Sequence, residues 1–334
     1  MSRLKIGVIG AGAWGRNHVR TVAGLADGEL AAVCDTSDAI RQKLSRQYPS
    51  TLVTGDVDAL LQACEAVVIA APAKVHADLA LRAIAAGKPC LVEKPFALSV
   101  ADAQRVAEAS VARKVPVLAG HLLVYHAAVE RLKALVKSGD LGRIYYLYGL
   151  RVNLGQVRAD ENALWSFGPH DVSVALEVLG EAPVRVAAQG HCYLQPHIED
   201  VVFLTMEFAS GVLAHVQLSW LDPHKERKLT VVGASKMAVF DDMEAREKLR
   251  IYDKGVERPP EYASFGESLS IREGDIFIPR LPNVEPLAAE LAHFVRVARG
   301  TEAPRAGAKE GVQVVQVLEA ASRSLAAGGT PVTL

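Results

Sequence analysis

One short glycine-rich run near the start of the chain constrains the fold more than any other feature. The sequence GAGAWG fills residues 10–15, after an apolar, β-branched stretch and before apolar residues at helical spacing. The glycines therefore lie where a buried strand turns sharply into a helix. There Gly10 permits the tight turn, Gly12 lets backbone amides approach a pyrophosphate, and Gly15 lets helix and strand pack closely. The pattern predicts a dinucleotide-binding turn, whose predicted cofactor contacts are Gly10, Gly12, Ala13, Trp14 and Gly15.

An acidic residue at the end of the second predicted strand supports this interpretation. Residues 30–34 are strand-like, and Asp35 follows them directly. A carboxylate in this position accepts both hydroxyls of an adenosine ribose. It also repels a 2′-phosphate, and Arg41 lies too far into the next predicted helix to reverse that effect, so we expect NAD rather than NADP. The alternative is a glycine turn in another kind of α/β domain, but the ordered strand, helix, strand and acid favour the cofactor site.

The length and composition of the chain favour two well-packed domains. The chain has 334 residues, of which 50% are hydrophobic and 22% are charged, and its formal net charge is −1. Such a length is long for one domain, and the apolar content supports a substantial core. The balanced charge gives no reason to expect nucleic acid or an anionic membrane as a partner.

The cysteines and histidines show none of the spacings that form a disulfide framework or bind a metal. The chain has 4 cysteines without a CxxC pair and 10 histidines without an HExxH motif. We therefore expect free buried thiols, no metal, and the reducing cytoplasm as the compartment. The first residues lack a signal-peptide pattern and no apolar run approaches a membrane span, which fits the same expectation.

The order of the predicted elements changes partway along the chain. Strands and helices alternate over roughly the first 120 residues, which predicts a parallel sheet covered on both faces. From about residue 143 strand-like segments follow one another with short turns, as in an antiparallel meander with helices over one face. We expect an α/β doubly wound domain at 1–122 and an α+β domain at 123–334, with a long surface loop at 254–284.

The second predicted sheet has an apolar face that needs cover. Val202, Leu204, Val216 and Leu218 recur at alternate positions of two strands. We expect helices over one face of this sheet and another subunit over the other, which predicts a homodimer or homotetramer.

A lysine follows the fifth predicted strand of the first domain. The sequence VEKP fills residues 92–95, at the carboxyl edge where sheets of this kind bind ligands. Lys94 is a candidate for polarising a substrate hydroxyl or exchanging its proton, while Pro95 restrains it to an extended conformation. The pattern alone fits a solvated lysine before a turn equally well.

A second cluster of hydrogen-bonding side chains lies in the second domain. Arg151 and Asn153 share one face of a predicted strand, and the stretch that follows, to about residue 169, is predicted to be a loop rich in polar groups. His170 then opens a predicted helix that runs to about Leu179. A neutral histidine is suited to taking a hydroxyl proton near neutral pH, although a lone histidine is more often structural.

The turn after the fourth strand also faces the predicted cofactor site. It contains Ala71 and Pro72 and leads to His76 at the start of a helix. These residues are candidate cofactor contacts, but His76 fits better as a helix N-terminal residue with a local hydrogen bond.

Taken in order, GAGAWG, Asp35, Ala71-Pro72, Glu93-Lys94-Pro95 and His170 resemble the glucose-fructose oxidoreductase / inositol dehydrogenase / MocA family over essentially the whole chain. The resemblance implies an N-terminal Rossmann domain that binds NAD and a C-terminal domain with a large, mostly antiparallel sheet. It implies that Glu93 lies at the cofactor and that Lys94 and His170 line the substrate pocket. Many inositol-dehydrogenase-like members have an aspartate four residues before that histidine, where this chain has Ser166.

Within that family, residues 151–171 look like those of the nucleotide-sugar 3-dehydrogenases. Those enzymes oxidise the C3 hydroxyl of UDP-N-acetylglucosamine, or of its uronic acid, to a 3-keto sugar. Such a substrate is anionic and rich in hydrogen-bonding groups, which suits arginine and asparagine side chains. The substrate contacts that the resemblance implies are Arg151, Asn153, Arg158, Asn162, Trp165 and His170.

The resemblance therefore implies an NAD-dependent dehydrogenase with its site in the cleft between the domains. NAD takes a hydride from C3, while His170 and the nearby Lys94 handle the hydroxyl proton. Two alternatives stay open: a polyol or simple sugar dehydrogenase of the inositol type, and a non-catalytic NAD-binding sensor. The presence of both Lys94 and His170 argues against the sensor.

Overall fold

The computed structural model describes residues 2–257 and 270–334, and contacts within the chain divide it into two compact units. The first unit comprises Met1–Tyr125 and Val284–Gln316, and the second comprises His126–Asn283 and Val317–Leu334.

The first unit contains a parallel sheet with alternating helices. The sheet has six strands in the order β3-β2-β1-β4-β5-β6, and every neighbouring pair is parallel. The strands are β1 (Leu4–Ile9), β2 (Gly28–Cys34), β3 (Leu52–Thr54), β4 (Ala66–Ile69), β5 (Cys90–Glu93) and β6 (Val117–Gly120). The helices between them are α1 (Gly15–Gly24), α2 (Asp38–Gln47), α3 (Val57–Ala63), α4 (His76–Ala85) and α5 (Val100–Arg113).

Local sequence explains where several of these helices begin. Ser37, Asp56 and Ser99 precede α2, α3 and α5, and each side chain accepts a hydrogen bond from a backbone amide of the first turn. These caps satisfy amides that have no partner inside a helix. They fix the lengths of the turns at the carboxyl edge of the sheet, where the candidate cofactor residues lie.

The second unit contains a mixed, mostly antiparallel sheet. Its nine strands have the order β14-β13-β12-β11-β7-β10-β9-β8-β15, and β7 and β10 form its parallel pair. The strands are β7 (Ile144–Val152), β8 (Pro183–His191), β9 (Val201–Phe208), β10 (Leu213–Ser219), β11 (Glu226–Gly233), β12 (Met237–Asp241), β13 (Leu249–Glu257), β14 (Ser270–Phe277) and β15 (Val332–Thr333). The helices of this part of the chain are α6 (Ala127–Lys137) and α7 (Ala163–Leu179).

Two helices near the end of the chain are α8 (Pro286–Ala298) and α9 (Ala308–Ala326). Leu287, Leu291 and Phe294 of α8 are buried in one cluster with residues of β1 and α1. This apolar face explains why 284–316 belongs to the first unit, whereas the sequence prediction placed the whole of 123–334 in the second domain. The predicted boundary itself lies three residues before Tyr125, where the first segment ends.

The predicted surface loop at 254–284 is wrong for much of its length. Strand β13 reaches Glu257, and β14 pairs with it over Ser270–Phe277. Residues 258–269 of the predicted loop lie outside the described residues. Strands β8 and β15 were also missed, because β8 contains proline, glycine and several polar residues that dilute a strand pattern.

The two faces of the second sheet differ in their cover. Val202, Leu204, Val216 and Leu218 are fully buried, and α7 packs on β7, β9 and β10. The opposite face carries exposed aromatic and apolar side chains, namely Tyr146, Tyr148, Phe203 and Leu213. Helix α7 of the same chain therefore covers the predicted apolar face. The opposite face, formed by the alternate residues of the same strands, is the one that carries the exposed side chains.

Candidate functional site

The glycine turn has the geometry that its sequence predicts. Gly10 has a φ of +87°, which strains any residue with a Cβ atom. A Cβ atom on Gly15 would lie 2.0 Å from the Gly10 carbonyl oxygen, so the helix packs too closely on the turn for any residue other than glycine. A Cβ atom on Gly12 would meet nothing within 4 Å, so the space above this residue is open. A tight turn with open space at its middle glycine fits a pyrophosphate at the N-terminus of α1.

Asp35 is tied to the glycine turn by its carboxylate. Its Oδ2 atom accepts a hydrogen bond from the Ala11 amide at 2.8 Å, and its Oδ1 atom accepts one from the Ser37 amide at 2.8 Å. Each carboxylate oxygen can accept a further hydrogen bond. Asp35 therefore holds the turn and keeps acceptors for the hydroxyls of a ribose.

Arg41 lies closer to Asp35 than its place in the predicted helix suggested. An Arg41 guanidinium nitrogen donates to the Asp35 carbonyl oxygen at 2.6 Å, and the same side chain forms an ion pair with Asp38. Because α2 begins immediately after the Ser37 cap, residue 41 lies only one turn into the helix and reaches back. The pair with Asp38 already balances the arginine charge, and the Asp35 carboxylate keeps its own amide partners.

Glu93 and Lys94 follow β5 at the same edge of the sheet. The side chain of Glu93 is buried, Lys94 is half-buried, and the Lys94–Pro95 peptide bond is cis. One carboxylate oxygen of Glu93 accepts from the Trp14 indole at 2.5 Å and contacts His18 Nε2 at 2.7 Å. The other accepts from the Lys94 amide at 2.9 Å.

The charge of Glu93 is held by these partners. Burial alone raises the pKa of Glu93, but the hydrogen bond and charge of His18, with the Trp14 and Lys94 donors, bring its pKa below the usual value. Sequence reasoning missed His18, although its position four residues after Trp14 on the buried side of α1 was a usable signal.

The side chain of His76 forms hydrogen bonds within the protein. Its ring is buried, with Nδ1 at 2.8 Å from the Pro95 carbonyl oxygen and Nε2 at 2.7 Å from the Ala71 carbonyl oxygen. The ring therefore joins the turn after β4 to the turn after β5. Ala71 is half-buried and Pro72 is exposed at the edge where a dinucleotide would lie.

In the second unit the predicted loop before His170 is correct over 153–162, but residues 163–169 are helical. Asn162 caps α7, since its side-chain oxygen accepts from the Trp165 amide at 3.0 Å, and helix runs from Ala163 through Pro169. The sequence prediction started the helix at His170 because the preceding stretch combines polar side chains with glycine and proline, which is typical of a loop. His170 is therefore in the interior of α7, where it is half-buried and has interactions with its surroundings.

Arg151 forms a buried ion pair next to His170. Its Nε atom is 2.5 Å from Asp171 Oδ2, its Nη2 atom is 3.3 Å from Oδ1, and both side chains are nine-tenths buried. The pair fastens α7 to β7. The guanidinium that the resemblance assigned to an anionic substrate thus already has a carboxylate partner.

The other predicted substrate contacts of this unit are spread along the same strand end and helix start. The Asn162 amide donates to Glu199 at 2.6 Å, and the Trp165 indole donates to Ser322 at 3.0 Å. Arg158 is exposed and lies 3.0 Å from Glu161. Asn153 is half-buried and follows β7, and Ser166 is buried in α7.

Comparison with known proteins identifies the family. Residues 4–121 match the GFO/IDH/MocA oxidoreductase family with an NAD-binding Rossmann fold, and residues 129–239 match the C-terminal domain of the same family. The chain belongs to the GFO/IDH/MocA family. The predicted fold class, the family resemblance, the oxidoreductase class and NAD as cofactor are thereby confirmed.

Several relatives of known name are similar to the chain. It is 30% identical to inositol 2-dehydrogenase 2 of Saccharopolyspora erythraea over 64% of this chain and 66% of that protein, just under two thirds of the relative's length. It is 27% identical to the UDP-N-acetylglucosamine 3-dehydrogenase of Acidithiobacillus ferrooxidans over 78% of this chain and 80% of that protein. A crystal structure of a protein from Magnetospirillum magnetotacticum MS-1 aligns with a TM-score of 0.82 at 31% identity, covering 96% of this chain and 100% of that one.

Two further observations on the described residues concern metal binding and membrane-spanning helices. Over 2–257 and 270–334, no group of three or more His, Cys, Asp or Glu side chains is arranged to hold a metal ion. Within the same ranges, no helix combines the length and the apolar character needed to cross a membrane.

Proposed function

We propose that this member of the GFO/IDH/MocA family is an NAD-dependent dehydrogenase that oxidises the C3 hydroxyl of a UDP-2-acetamido sugar to a ketone. The sugar would be UDP-N-acetylglucosamine or its uronic acid. The observation that carries the proposal is the stretch 151–171, with its resemblance to nucleotide-sugar 3-dehydrogenases. Similarity to a UDP-N-acetylglucosamine 3-dehydrogenase over 80% of that protein's length supports it.

The proposed chemistry assigns two residues to the hydroxyl. His170 removes its proton as the C–H bond breaks, and Lys94 polarises the oxygen or exchanges the same proton. NAD, when bound, accepts the hydride from C3. The chain's own contribution is to orient the carbon, hold both groups in reach of one oxygen and exclude water. Ser166 stands where many inositol-type members have an aspartate, so the proposal uses no aspartate relay at that position.

The substrate's negative charge and amide groups call for donors in the second unit. Arg158 suits this role because it is exposed in the segment between β7 and the start of α7. Asn162 lies in the same segment, where its side chain is also bonded to the Trp165 amide and to Glu199. Asn153 and Trp165 are proposed contacts of the sugar. We give Arg151 a different part, since its guanidinium is committed to Asp171 and serves to hold α7 in place.

A second candidate is a dehydrogenase of inositol or another polyol. It is favoured by the 30% identity to an inositol 2-dehydrogenase, which is no lower than that to the nucleotide-sugar enzyme. The departure at Ser166 weighs against it. The two candidates share NAD, Lys94 and His170 and differ only in the hydroxyl that is oxidised.

A substrate comparison distinguishes the candidates. The purified protein is mixed with NAD and, separately, with UDP-N-acetylglucosamine, its uronate and myo-inositol, and absorbance at 340 nm is followed. We expect NADH formation with one of the two nucleotide sugars and, by mass spectrometry, a product that has lost two hydrogen atoms. NADH formation with myo-inositol alone would select the second candidate, and formation with none of the three would overturn the first.

We further propose that the protein is a cytoplasmic homodimer or homotetramer. The exposed side chains of Tyr146, Tyr148, Phe203 and Leu213 form the candidate interface, and three of the four cysteines are buried free thiols that suit a reducing compartment. Light scattering at micromolar concentration should give at least twice the monomer mass. Tyr148→Glu should shift the protein towards monomer, whereas the exposed control Val111→Glu in the first unit should not; a monomeric wild type would contradict the proposal.

A further inference from the structure

A buried polar cluster in the first unit surrounds Glu93 and has no part in the proposed proton transfer. It is assembled from α1, the residue that follows β6, and α8, and every member is more than nine-tenths buried. The cluster consists of His18 (0% exposed), Glu93 (6%), His121 (3%) and Glu290 (1%).

Glu93 is the negatively charged member of this cluster. Burial lowers the pKa of His121 to about 4, so this ring is neutral near pH 7. Burial, and then the nearby charge of Glu93, raise the pKa of Glu290 well above its usual value, so this acid keeps its proton. Glu93 itself keeps its charge through the donors that it has gathered. Glu93 therefore supplies the negative charge at the centre of this buried cluster, and the hydrogen bond and charge of His18 help to hold it there.

That charge connects three separate parts of the cofactor domain. Glu93 accepts from Trp14 in the glycine turn, contacts His18 in α1, and accepts from the amide of Lys94 after β5. Both carboxylate oxygens are thus directed at protein donors, and the group is buried. Glu93 is placed to act through its neighbours rather than by touching a ligand.

The sheet order gives the two acids around the glycine turn opposite positions. Strand β2, which leads to Asp35, lies on one side of β1, while β4 and then β5, which ends with Glu93, lie on the other. In a dinucleotide-binding fold the acid after the second strand receives the adenosine ribose. The nicotinamide half then extends across the turn towards β4 and β5. Asp35 holds the turn from the adenosine side through Ala11, and Glu93 holds it from the other side through Trp14.

We propose that Glu93 is a positioning residue for the nicotinamide half of the dinucleotide. Through Trp14 and His18 it fixes the far side of the glycine turn, and through the Lys94 amide it fixes the start of the lysine turn against the same point. This assigns Glu93 a role different from the direct cofactor contact that the family resemblance implies.

The test compares NAD with ADP-ribose, which lacks the nicotinamide ring. Both ligands are titrated into the protein by isothermal calorimetry, so no substrate is needed. Glu93→Gln keeps the size of the side chain but loses the charge and one acceptor. We expect this variant to bind NAD about tenfold or more weakly than the wild type, because hydrogen bonds to a charged group are lost. We expect its affinity for ADP-ribose to fall by less than about threefold. Asp35→Ala should weaken both ligands alike.

Two further variants keep the outcome decisive. Glu177→Gln is the matched control, because it removes a carboxylate from an ion pair with Lys133 in the second unit and should leave both affinities unchanged. Trp14→Phe removes one donor to Glu93 from a half-exposed ring, so it tests the same contact if Glu93→Gln fails to fold. It should weaken NAD more than ADP-ribose.

Equal weakening of both ligands in these variants would show a merely structural role and overturn the proposal. Unchanged NAD binding in Trp14→Phe would overturn it as well. Hydrogen exchange gives an independent readout: the amides of residues 11–14 should exchange faster in Glu93→Gln than in wild type, and unchanged exchange there would contradict the positioning role.

Discussion

The two units of this protein hold their candidate residues by different means. In the first unit, backbone turns at strand ends place most of the candidate residues. These turns are the glycine turn, the cap after Asp35 and the turn after Glu93, and each is set by a short stretch of sequence. In the second unit, side-chain pairs between a helix and the sheet hold the candidate residues in place, above all the ion pair of Arg151 with Asp171. Turn geometry is encoded locally, whereas such a pair joins two separate elements of structure; in the first unit the contacts of Glu93 with Trp14 and His18 are of this second kind. The comparison implies that amino-acid substitutions in the two units should have different effects on the protein.

The largest effect is expected at the two residues that are proposed to act on the substrate hydroxyl. His170→Ala and Lys94→Ala should each lower kcat by about 100- to 10,000-fold, the usual contribution of a general acid or base. NAD affinity should change little in either variant, as calorimetry can check. The double variant should be less impaired than the product of the single effects if the two residues act as one unit. Near-wild-type turnover in both single variants would remove them from the mechanism.

The next effect sharpens the contrast in the second unit. Arg151→Ala leaves the buried Asp171 carboxylate without its partner, which should cost about 3–5 kcal/mol of unfolding free energy. Lys133→Ala breaks a more exposed pair with Glu177 and should cost less than about 1 kcal/mol. Urea denaturation measures both. Similar losses in the two variants would mean that the Arg151 pair does not secure α7.

A smaller effect is expected at the adenosine side of the first unit. Asp35→Ala removes acceptors for the ribose and the repulsion of a 2′-phosphate, and Arg41 remains beside the vacated position. The preference for NAD over NADP should narrow by about 1.5–3 kcal/mol. Calorimetric titration with both cofactors measures this, and equal affinity of the wild type for NAD and NADP would contradict the role of Asp35.

The smallest effect concerns the neutral acid of the first unit and depends on pH. The pKa of Glu290 is raised in the folded protein, so above about pH 4.5 the unfolded chain loses this proton while the folded chain keeps it. The stability of the folded state therefore falls as pH rises above about 4.5, until the raised pKa is passed. Glu290→Gln cannot ionise, so its stability relative to wild type should increase between pH 5 and pH 7.5. The exposed Glu65→Gln serves as control; a constant difference for Glu290→Gln would contradict the assignment.

Prediction from sequence succeeded where the signal was local. The alternation of strands and helices that predicted a parallel sheet is found in the first unit, and the predicted strand at 30–34 lies within the observed β2, Gly28–Cys34. The turn at Gly10 and the place of Asp35 follow from the same pattern. These features need only neighbouring residues and general rules of backbone geometry.

Prediction failed where distant residues decide. Gly168 and Pro169 indicated a loop before His170, but the cap at Asn162 and packing on the sheet carry α7 through them. Arg151 resembled a substrate contact until the fold brought Asp171 to it. Nothing in the local sequence of α8 shows that it packs with the first unit, or that Glu290 belongs to the cluster around Glu93.

The most direct test of the proposed reaction follows the fate of one hydrogen atom. UDP-N-acetylglucosamine and its uronate, each with deuterium at C3 of the sugar, are supplied with NAD, and the NADH formed is analysed by mass spectrometry. If the protein oxidises C3, the NADH should be one mass unit heavier than that from unlabelled sugar, and the product should be the 3-keto sugar without the label. NADH of ordinary mass would mean that another carbon is oxidised and would contradict the proposed function.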